Sequence, residues 1–416
     1  MSQDEHGCNR RTVLKSAGLL SGSLATPYVA SSAKAKSEVD SSIRSNRIQE
    51  SLARRFARAR VEHNSQREEF SEFDPNGLAE PELFYAVSES QNRSDSLSKE
   101  YLPRAWVYPI TNGGVEVGHI AVSARPESPG IIKCGTGRAP QNRLSEDQVL
   151  SSAPNLDAKN DVRFIYNNPM SFGVEINSTT YIDLKSGRTS SIDSVLTSTV
   201  PSRQDRRGND VLEQNMENER ISFEPFDTGN VSGVPNWDGN LCDRNGNWVG
   251  CVPVASSMCL GYHENISYTD CDLMWELNEN MGTDDDGNTY PYVPGGKDFF
   301  SGINNYDSSY DPGYELNGKR KEIKSEIDSG RPCIVGYFGD KTPDAAAAAS
   351  PGKSIDLPDV PTGHAETVIG YEEDDNPPWD PTQPTLYATT HDTYGDTNEL
   401  TFKSTSVGFV VLEIED

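Results

Sequence analysis

Residues 250–262 constrain the fold of this chain more than any other stretch, because they predict a helix with a cysteine at its start. Counted from Cys251, the residues at positions 3, 4, 7, 8 and 11 further on are apolar or aromatic and fall on one helix face. Pro253 suits the first turn, where the missing N–H of proline has no hydrogen bond to lose. The pattern therefore predicts a helix that is anchored in a core and carries Cys251 at its first turn.

A cysteine in this position has a specific chemistry. The start of a helix offers unpaired N–H groups and the positive end of the helix dipole, and both stabilise a thiolate. The thiolate is the form of cysteine that attacks a carbonyl carbon. Cys251 is therefore predicted to be a nucleophile. A buried structural thiol is the alternative, and the acid–base side chains that follow in the chain favour the nucleophile.

His364 and Asp392 are those side chains. His364 lies at the mouth of a predicted buried strand that ends near Tyr371, and an imidazole titrates near neutral pH, so it can accept a thiol proton. Asp392 follows the predicted strand 386–390, where a carboxylate can orient the imidazole. His391 is the competing candidate for the base. The chain order is then nucleophile, base and orienting acid.

The net charge of the chain limits the classes of binding partner that we expect. It has 37 Lys and Arg against 64 Asp and Glu, which gives a net charge of −27, and the acid is spread along the whole length. Such a charge repels nucleic acids and anionic lipids, so we expect neither as a partner. Carboxylates at this density favour a halophilic protein, adapted to salt that screens their repulsion. An ordinary acidic secreted protein is the alternative.

The N-terminus has the pattern of an export signal. Arg10 and Arg11 precede a mild apolar run, 16–30, and the Ala-Lys-Ala sequence at 33–35 has the spacing of a cleavage site. We therefore predict a twin-arginine signal peptide over 1–36 and an extracellular protein. The apolar run is too short to span a bilayer, and no later run is long and apolar enough, so no membrane span is expected.

The region between the signal and the cysteine helix has mixed α+β patterns. The alternating stretches 105–110 and 115–124 flank a Gly-rich turn and predict a β-hairpin. The stretch 199–230 is polar, lacks periodicity, and is interpreted as a linker or cleavable segment. The predicted divisions are a propeptide-like or accessory domain over 37–228 and a second domain over 229–416.

The cysteines do not form a dense disulfide framework. They are Cys8, Cys134, Cys242, Cys251, Cys259, Cys271 and Cys333. Cys8 would leave with the signal peptide. Cys242 and Cys271 are a candidate pair, although spacing alone leaves the connectivity open. No Cys/His spacing typical of zinc is present in the sequence, and we expect neither a metal nor a cofactor.

Four segments resemble the papain-like cysteine peptidases, and among them the C39-like group, with some similarity to streptopain, in an exported haloarchaeal type. They are 250–263, 327–332, 363–371 and 392–395, and the resemblance as a whole covers about 234–397. The resemblance implies an α+β fold in which a cysteine-bearing helix packs on an antiparallel sheet. It also implies that the N-terminal domain is a propeptide or accessory domain.

The resemblance further implies a function. Cys251 would be the nucleophile, His364 the general acid and base, and Asp392 the orienting residue of a secreted cysteine peptidase that works through an acyl-enzyme. The substrate would be a protein or peptide, and the N-terminal domain would be an inhibitor or folding aid. Family members usually carry a Gln ahead of the cysteine as an oxyanion donor. This chain has none between 231 and 250, which leaves Asn240 or Asn245 as candidates.

Two other functions are open at the level of sequence. Related acyl-transfer enzymes, of the transglutaminase or cell-wall amidase type, use the same scaffold, and an added amine acceptor would distinguish them through a conjugated product. A catalytically inactive binding module is the second alternative, since the chain lacks the usual oxyanion donor. A thiol of ordinary reactivity at neutral pH would favour that module.

Overall fold

The structure is a computed structural model that covers most of the chain after the predicted signal peptide. It describes residues 47–91, 97–126, 128–143, 163–185, 187–197, 221–244, 246–285, 287–289, 297–307, 311–315, 320–337, 364–375, 377, 384–403 and 409–415. The predicted signal peptide, Asn245 and the first part of the predicted linker lie outside these residues.

Five α-helices fall within the described residues. They are α1 (Glu50–Asn64), α2 (Cys251–His263), α3 (Cys271–Asn280), α4 (Lys297–Asn304) and α5 (Arg320–Asp328). Short 3₁₀ helices lie at Glu68–Phe70, Pro140–Asn142, Ile192–Val195 and Gly239–Cys242. In this part of the chain no helix has both the length and the apolar character that crossing a membrane requires.

In the described part of the chain, ten strands lie between α1 and α2, one lies between α4 and α5, and five follow α5. They are β1 (Glu82–Gln91), β2 (Leu97–Asn112), β3 (Val115–Ser123), β4 (Ile131–Thr136), β5 (Phe164–Asn168), β6 (Ser171–Asn177), β7 (Thr180–Asp183), β8 (Thr189–Ser191), β9 (Leu196–Thr197), β10 (Asp227–Asn230), β11 (Asp311–Glu315), β12 (Cys333–Tyr337), β13 (His364–Asp374), β14 (Thr385–His391), β15 (Thr397–Lys403) and β16 (Phe409–Glu415). The predicted hairpin is confirmed, since Ala105 of β2 pairs with Ser123 of β3 and Asn112 with Val115.

All of these strands belong to one hydrogen-bonded sheet. Its order is β11-β16-β12-β13-β14-β15-β4-β3-β2-β1-β5-β6-β7-β8, with β10 beside β13 and β9 beside β1. The pairs are antiparallel, except that β5 and β9 run parallel to β1. Helices combined with a large antiparallel sheet agree with the predicted α+β class.

Strands β4 and β15 join the N-terminal and C-terminal parts of the chain. Glu399 of β15 pairs with Cys134 of β4, and Leu400 pairs with Lys133. The predicted domain boundary at 228/229 falls inside β10, which pairs with β13. The division into two domains stays a prediction. The pairing itself brings side chains of β4 next to those of β13 to β15.

A buried ion network also binds α1 to these strands. Arg60 is 1% exposed, and its guanidinium donates to Glu399 at 2.8 and 2.7 Å and to Glu372 at 2.9 Å. The guanidinium carbon lies 3.8 Å from the ring centroid of Tyr387. A buried charge is tolerated only when it is paired and hydrogen-bonded. The network therefore holds α1 at one position on the sheet.

Helix α2 lies at the centre of the C-terminal core. Met258 and Leu260 belong to one apolar cluster with Ile334 of β12 and Leu412 of β16. Every residue from 252 to 261 is buried, because β12 and β13 cover one side of the helix and α3 covers another. The predicted helix is confirmed, but the prediction of a single apolar face was too narrow for a helix enclosed on several sides.

The candidate disulfide pair is confirmed. Cys242, at the end of a 3₁₀ helix, is bonded to Cys271, the first residue of α3, with 5.2 Å between their Cα atoms. Cys134, Cys251, Cys259 and Cys333 are free thiols. Among these four, Cys251 alone is partly exposed. It is therefore the thiol that a reagent in solution can reach in the folded protein.

Candidate active site

Gly250 determines how the chain enters α2. Its φ is 93°, a left-handed conformation that side chains disfavour, and a Cβ there would lie 2.8 Å from the carbonyl oxygen of Gly287. The chain turns at Gly250, and Cys251 is then the first residue of α2, as the sequence predicts. The thiol of Cys251 therefore stands at the helix start, where it lines a crevice.

The start of β13 lies against this cysteine. The backbone N–H of Ala365 acts to lower the pKa of the Cys251 thiol, and His364, the residue before Ala365, lines the same crevice as Cys251. Thr367 of β13 donates from its hydroxyl to the carbonyl oxygen of Ala255 at 3.0 Å, which ties the strand to α2. Two of the three predicted catalytic residues therefore meet at one crevice, although 113 positions separate them in the sequence.

An aromatic stack forms the floor beside His364. The ring of Tyr394 stacks on His364 with centroids 5.8 Å apart and on Trp248 with centroids 5.1 Å apart. Both aromatic residues line the crevice. The sequence analysis did not assign a role to either, and their only signal was proximity to Cys251 and Asp392. The stack limits the tilt of the imidazole ring.

Asp392 is fully buried and occupied by other partners. Its Oδ1 accepts hydrogen bonds from the backbone N–H groups of Tyr394 at 2.8 Å and Asp396 at 3.0 Å. Its Oδ2 accepts from the Asn398 amide at 3.2 Å and from the ammonium group of Lys185. Meanwhile Nε2 of His364 is buried without a hydrogen-bond partner in the described part of the chain. The predicted histidine–carboxylate bond is therefore not formed in this state.

Glu366 is a second buried carboxylate beside the histidine, and the sequence analysis missed it. Its Oε1 lies 4.0 Å from Nε2 of His364 and 3.7 Å from Nζ of Lys133. Its carboxylate also accepts hydrogen bonds from the Thr390 hydroxyl and, at 3.1 Å, from the Asn398 amide. The available signal was the two-residue spacing, because alternate residues of a strand point to the same face.

Two lysines from the N-terminal region neutralise these carboxylates. Lys133 of β4 is 3% exposed and faces Glu366. Lys185 follows β7, pairs with Asp392 and lies 4.7 Å from the ring centroid of Tyr394. The turn is held in place because the N–H of Lys185 donates to Asp183 at 3.0 Å. The site thus contains two acids and two bases that are brought together from distant parts of the chain.

Burial keeps the nucleophile and the base uncharged in this state. It raises the pKa of the Cys251 thiol to about 11, while N–H groups of Ala365 and Val252 act in the opposite direction and Glu366 adds to the rise. Burial also lowers the pKa of His364 to about 4, where the effect of Glu366 is opposed by Lys185. The predicted thiolate is therefore not the resting form, because desolvation outweighs the helix start.

The acids and Lys133 have shifted pKa values as well. Burial acts to raise the pKa of Asp392, but Lys185 and Lys133 hold it well below its usual range. Burial acts to raise the pKa of Glu366 as well, but Lys133, Lys185 and His364 together hold it below its usual value. Burial lowers the pKa of Lys133 itself to about 8. Both carboxylates are therefore charged at neutral pH.

The remaining predicted residues lie away from the crevice. Nδ1 of His391 is 3.2 Å from the Thr397 hydroxyl, and His391 does not line the crevice, so it is not positioned as the base. Asn240 is exposed on the 3₁₀ helix Gly239–Cys242 and is not part of the crevice lining either. Asn245 lies outside the described residues. The crevice does include Asn288, whose amide donates to Asp284 at 3.1 Å.

Three acidic side chains could in principle hold a metal ion elsewhere. Carboxylate oxygens of Glu326, Glu413 and Glu415 lie within 4.8 Å of one another. Arg331 already donates to Glu326 at 2.6 Å and to Glu415 at 3.2 Å. This guanidinium offsets one of the three negative charges, and none of the three acids lines the crevice that contains Cys251.

Comparisons with protein-family models, with curated proteins and with solved structures find no match to this chain. A cysteine at a helix start, a histidine at a strand start and Lys185 line the crevice. Two buried carboxylates, Glu366 and Asp392, and the buried Lys133 lie behind this lining.

Proposed function

We propose that this chain is a secreted, salt-adapted cysteine peptidase that hydrolyses peptide bonds through Cys251, His364 and Asp392, with a papain-like arrangement of the C-terminal region. The observation that carries the proposal is that Cys251 and His364 line the same crevice. Cys251 is the first residue of α2 and His364 is the first residue of β13, so the fold brings the thiol and the imidazole to one place. A thiol, an imidazole and a carboxylate are the groups that acyl transfer through cysteine requires.

The reaction follows from the positions of these groups. His364 takes the proton of the Cys251 thiol, and the sulfur attacks the carbonyl carbon of the peptide bond. The developing oxyanion is stabilised by backbone N–H groups at the start of α2, which already lie against the sulfur. The C–N bond then breaks, and the imidazolium gives its proton to the leaving amine. Water, deprotonated by His364, attacks the thioester and releases the acid and free Cys251.

The described state is a closed form of such an enzyme. Lys185 pairs with the Asp392 carboxylate and neutralises it, and Asp183 and Lys185 line the same crevice as Cys251. Both lysines lower the proton affinity of His364. We therefore assign an inhibitory role to the N-terminal region. Catalysis requires that the turn carrying Lys185 leave the crevice.

The test compares the full chain with its Cys251→Ala variant in concentrated salt. We expect wild-type protein to hydrolyse denatured casein and to shorten itself on standing, and the variant to lose more than about 10³-fold of this activity. Intact-mass spectrometry after iodoacetamide treatment, with both proteins lacking residues 1–36 and therefore Cys8, should show one label in the wild type and none in the variant. Only Cys251 is accessible among the free cysteines of the described residues.

Cys259→Ala is the matched control, because Cys259 lies on the same helix and is fully buried. This variant should retain both hydrolysis and labelling. Equal hydrolysis by wild type and Cys251→Ala would overturn the proposal. An amine-conjugated product in place of free acid would identify an acyl-transfer enzyme instead, and no turnover with an ordinary thiol would identify a binding module.

A further inference from the structure

The buried nitrogen of His364 points to a residue that the predicted triad does not include. Nε2 of His364 has no hydrogen-bond partner among the described residues, and Glu366 Oε1 lies 4.0 Å from it. A buried polar atom without a partner costs free energy, so this nitrogen favours any arrangement that supplies an acceptor. A shift of about 1 Å would bring Glu366 to hydrogen-bond distance.

The strand fixes Glu366 in this relation to the histidine. The two residues are separated by one position on β13, so both side chains leave the same face of the strand. Thr390 and Asn398, from β14 and β15, hold the Glu366 carboxylate by hydrogen bonds. Glu366 itself is fully buried. Its carboxylate is therefore positioned by three adjacent strands and not by a flexible loop.

Asp392 is engaged in a different task. One of its oxygens accepts the backbone N–H groups of Tyr394 and Asp396, which shapes the loop that carries the aromatic stack. Its other oxygen pairs with Lys185. Asn398 contacts both carboxylates, so the two acids form one buried cluster. In this cluster Glu366 is the acid whose oxygen lies beside Nε2.

We propose that Glu366 is a positioning residue for His364, and that it accepts the Nε2 hydrogen when the crevice opens. This leaves Nδ1 as the basic nitrogen that takes the thiol proton. The inference rests on the proposed function for its catalytic meaning. No covalent step is added, since Glu366 acts on the reaction only through the orientation and proton affinity of the imidazole.

Several charged or titratable groups surround the imidazole and must be considered together. They are Glu366 on β13, Asp392 and Tyr394 after β14, Lys133 on β4, Lys185 after β7, and Cys251 on α2, with Asp183 and Arg188 further along the crevice. Glu366 and Asp392 favour the protonated imidazole, and the two lysines oppose it. Each group therefore shifts the pKa of His364 in a stated direction, and a variant that lacks the group can test that direction.

The experiment measures the pKa of His364 by NMR titration in full-length Cys251→Ala protein, with the signal assigned through His364→Gln. We expect Glu366→Gln to lower this pKa by about one unit or more, because a carboxylate within 4–6 Å is removed. Asp392→Asn should have the smaller effect, since Lys185 neutralises Asp392 in the full chain. An effect of Asp392→Asn equal to or larger than that of Glu366→Gln would overturn the inference.

Glu372→Gln is the matched structural control. Glu372 is a buried, ion-paired carboxylate on the same strand, but its partners are Arg60 and His63. It should destabilise the protein as Glu366→Gln does and leave the His364 titration unchanged. If both variants shift the titration equally, Glu366 has only a structural role.

Lys133→Met should shift the pKa of His364 in the direction opposite to the shift expected for Glu366→Gln. Lys133 lowers the pKa of His364, so its removal should raise that value. If Glu366→Gln does not fold because Lys133 is left unpaired, the double variant is compared with Lys133→Met alone, and the same downward shift is expected.

In Cys251-containing proteins the pH profile of iodoacetamide labelling should follow these shifts. A wild type that is labelled with the expected profile but hydrolyses nothing would refute the peptidase proposal and leave the role of Glu366 intact.

Discussion

Lys185 changes the chemistry of the crevice through one ion pair. It is 207 residues away from Asp392 in the sequence, and its side chain is 10% exposed. In this position it neutralises the Asp392 charge that would favour an imidazolium ion at His364. A neutral imidazole beside a protonated thiol is a poor nucleophilic pair. One side chain thus adds to the effect of burial in keeping His364 uncharged.

Replacing this lysine should activate the thiol. We expect Lys185→Met to raise the iodoacetamide labelling rate of Cys251 at neutral pH about tenfold or more, since one pKa unit corresponds to a tenfold change in ionisation. Lys99→Met is the control, because Lys99 pairs with Asp193 on the N-terminal region away from the crevice. Identical labelling rates for the two folded variants would contradict the inhibitory role of Lys185.

Among the elements, α2 and β13 position the reacting groups. Residue Gly250 lets the chain turn sharply into α2, and Thr367 ties β13 to that helix. The disulfide between Cys242 and Cys271 joins the short 3₁₀ helix ahead of α2 to the start of α3. The Trp275 indole of α3 also donates to the Cys242 carbonyl oxygen at 2.6 Å. These contacts hold the segment before Cys251 against the C-terminal core.

Removing the disulfide should lower stability without removing the nucleophile. The bond joins residues 29 positions apart in the sequence. The chain-entropy relation for a closed loop of this size gives a stabilisation of the folded protein of about 3.5 kcal/mol. We expect the Cys242→Ala/Cys271→Ala variant to unfold at lower temperature and to retain a reactive Cys251. A reductant should bring wild type to the stability of the variant and leave the variant unchanged. A reductant effect of similar size on both proteins would argue against this bond as the stabilising element.

At the scale of the whole molecule, the N-terminal and C-terminal parts share one sheet and one set of charges. Lys185 pairs with Asp392 and Lys133 with Glu366, while Arg60 and Arg67 pair with Glu399. Neutralisation of buried acids by bases from the other part of the chain makes the two parts mutually dependent. The closed state is therefore a property of the assembled molecule.

Acid should destabilise this assembly. The pKa of Glu372 is lowered from 4.5 to about 2, because hydrogen bonding to His63 and the charges of Arg60 and Arg67 outweigh burial. A carboxyl group with a lowered folded-state pKa stabilises the protein above its unfolded pKa, and this contribution is lost as the pH falls through the folded value. We expect the midpoint of thermal unfolding at constant salt to fall as the pH decreases from about 4.5 towards 2.

His364 contributes in the same direction at a higher pH. Its pKa is lowered from 6.5 to about 4, so the unfolded chain binds the proton first and stability decreases across that interval on acidification. Glu372→Gln should reduce the dependence below pH 4.5 and His364→Gln should reduce it above pH 4.5. A midpoint independent of pH across both intervals would show that these groups do not control stability.

Local sequence patterns were sufficient to predict several of the helices and strands. The start of α2 at Cys251, the hairpin of β2 and β3, and the strand that begins at His364 all follow from short-range spacing. The pairing of β4 with β15 has no such signal, because residues far apart in sequence determine it. For the same reason local patterns indicate His364 and Asp392 but neither of the two lysines. The one local signal for Glu366 is its two-residue spacing from His364 on β13.

The sequence alone established which chemical groups the chain possesses and which neighbouring residues form a helix or a strand, since helix and strand repeats act over a few residues. The tertiary structure decided the ionisation of those groups and the partner of each one. The sequence predicts a thiolate at Cys251 and an imidazole at His364 that titrates near neutral pH. Burial, together with the charges of Lys133 and Lys185 near His364, keeps both groups uncharged. The physical reason is that desolvation and Coulomb interactions depend on distances in space, which folding sets between residues that no local pattern connects.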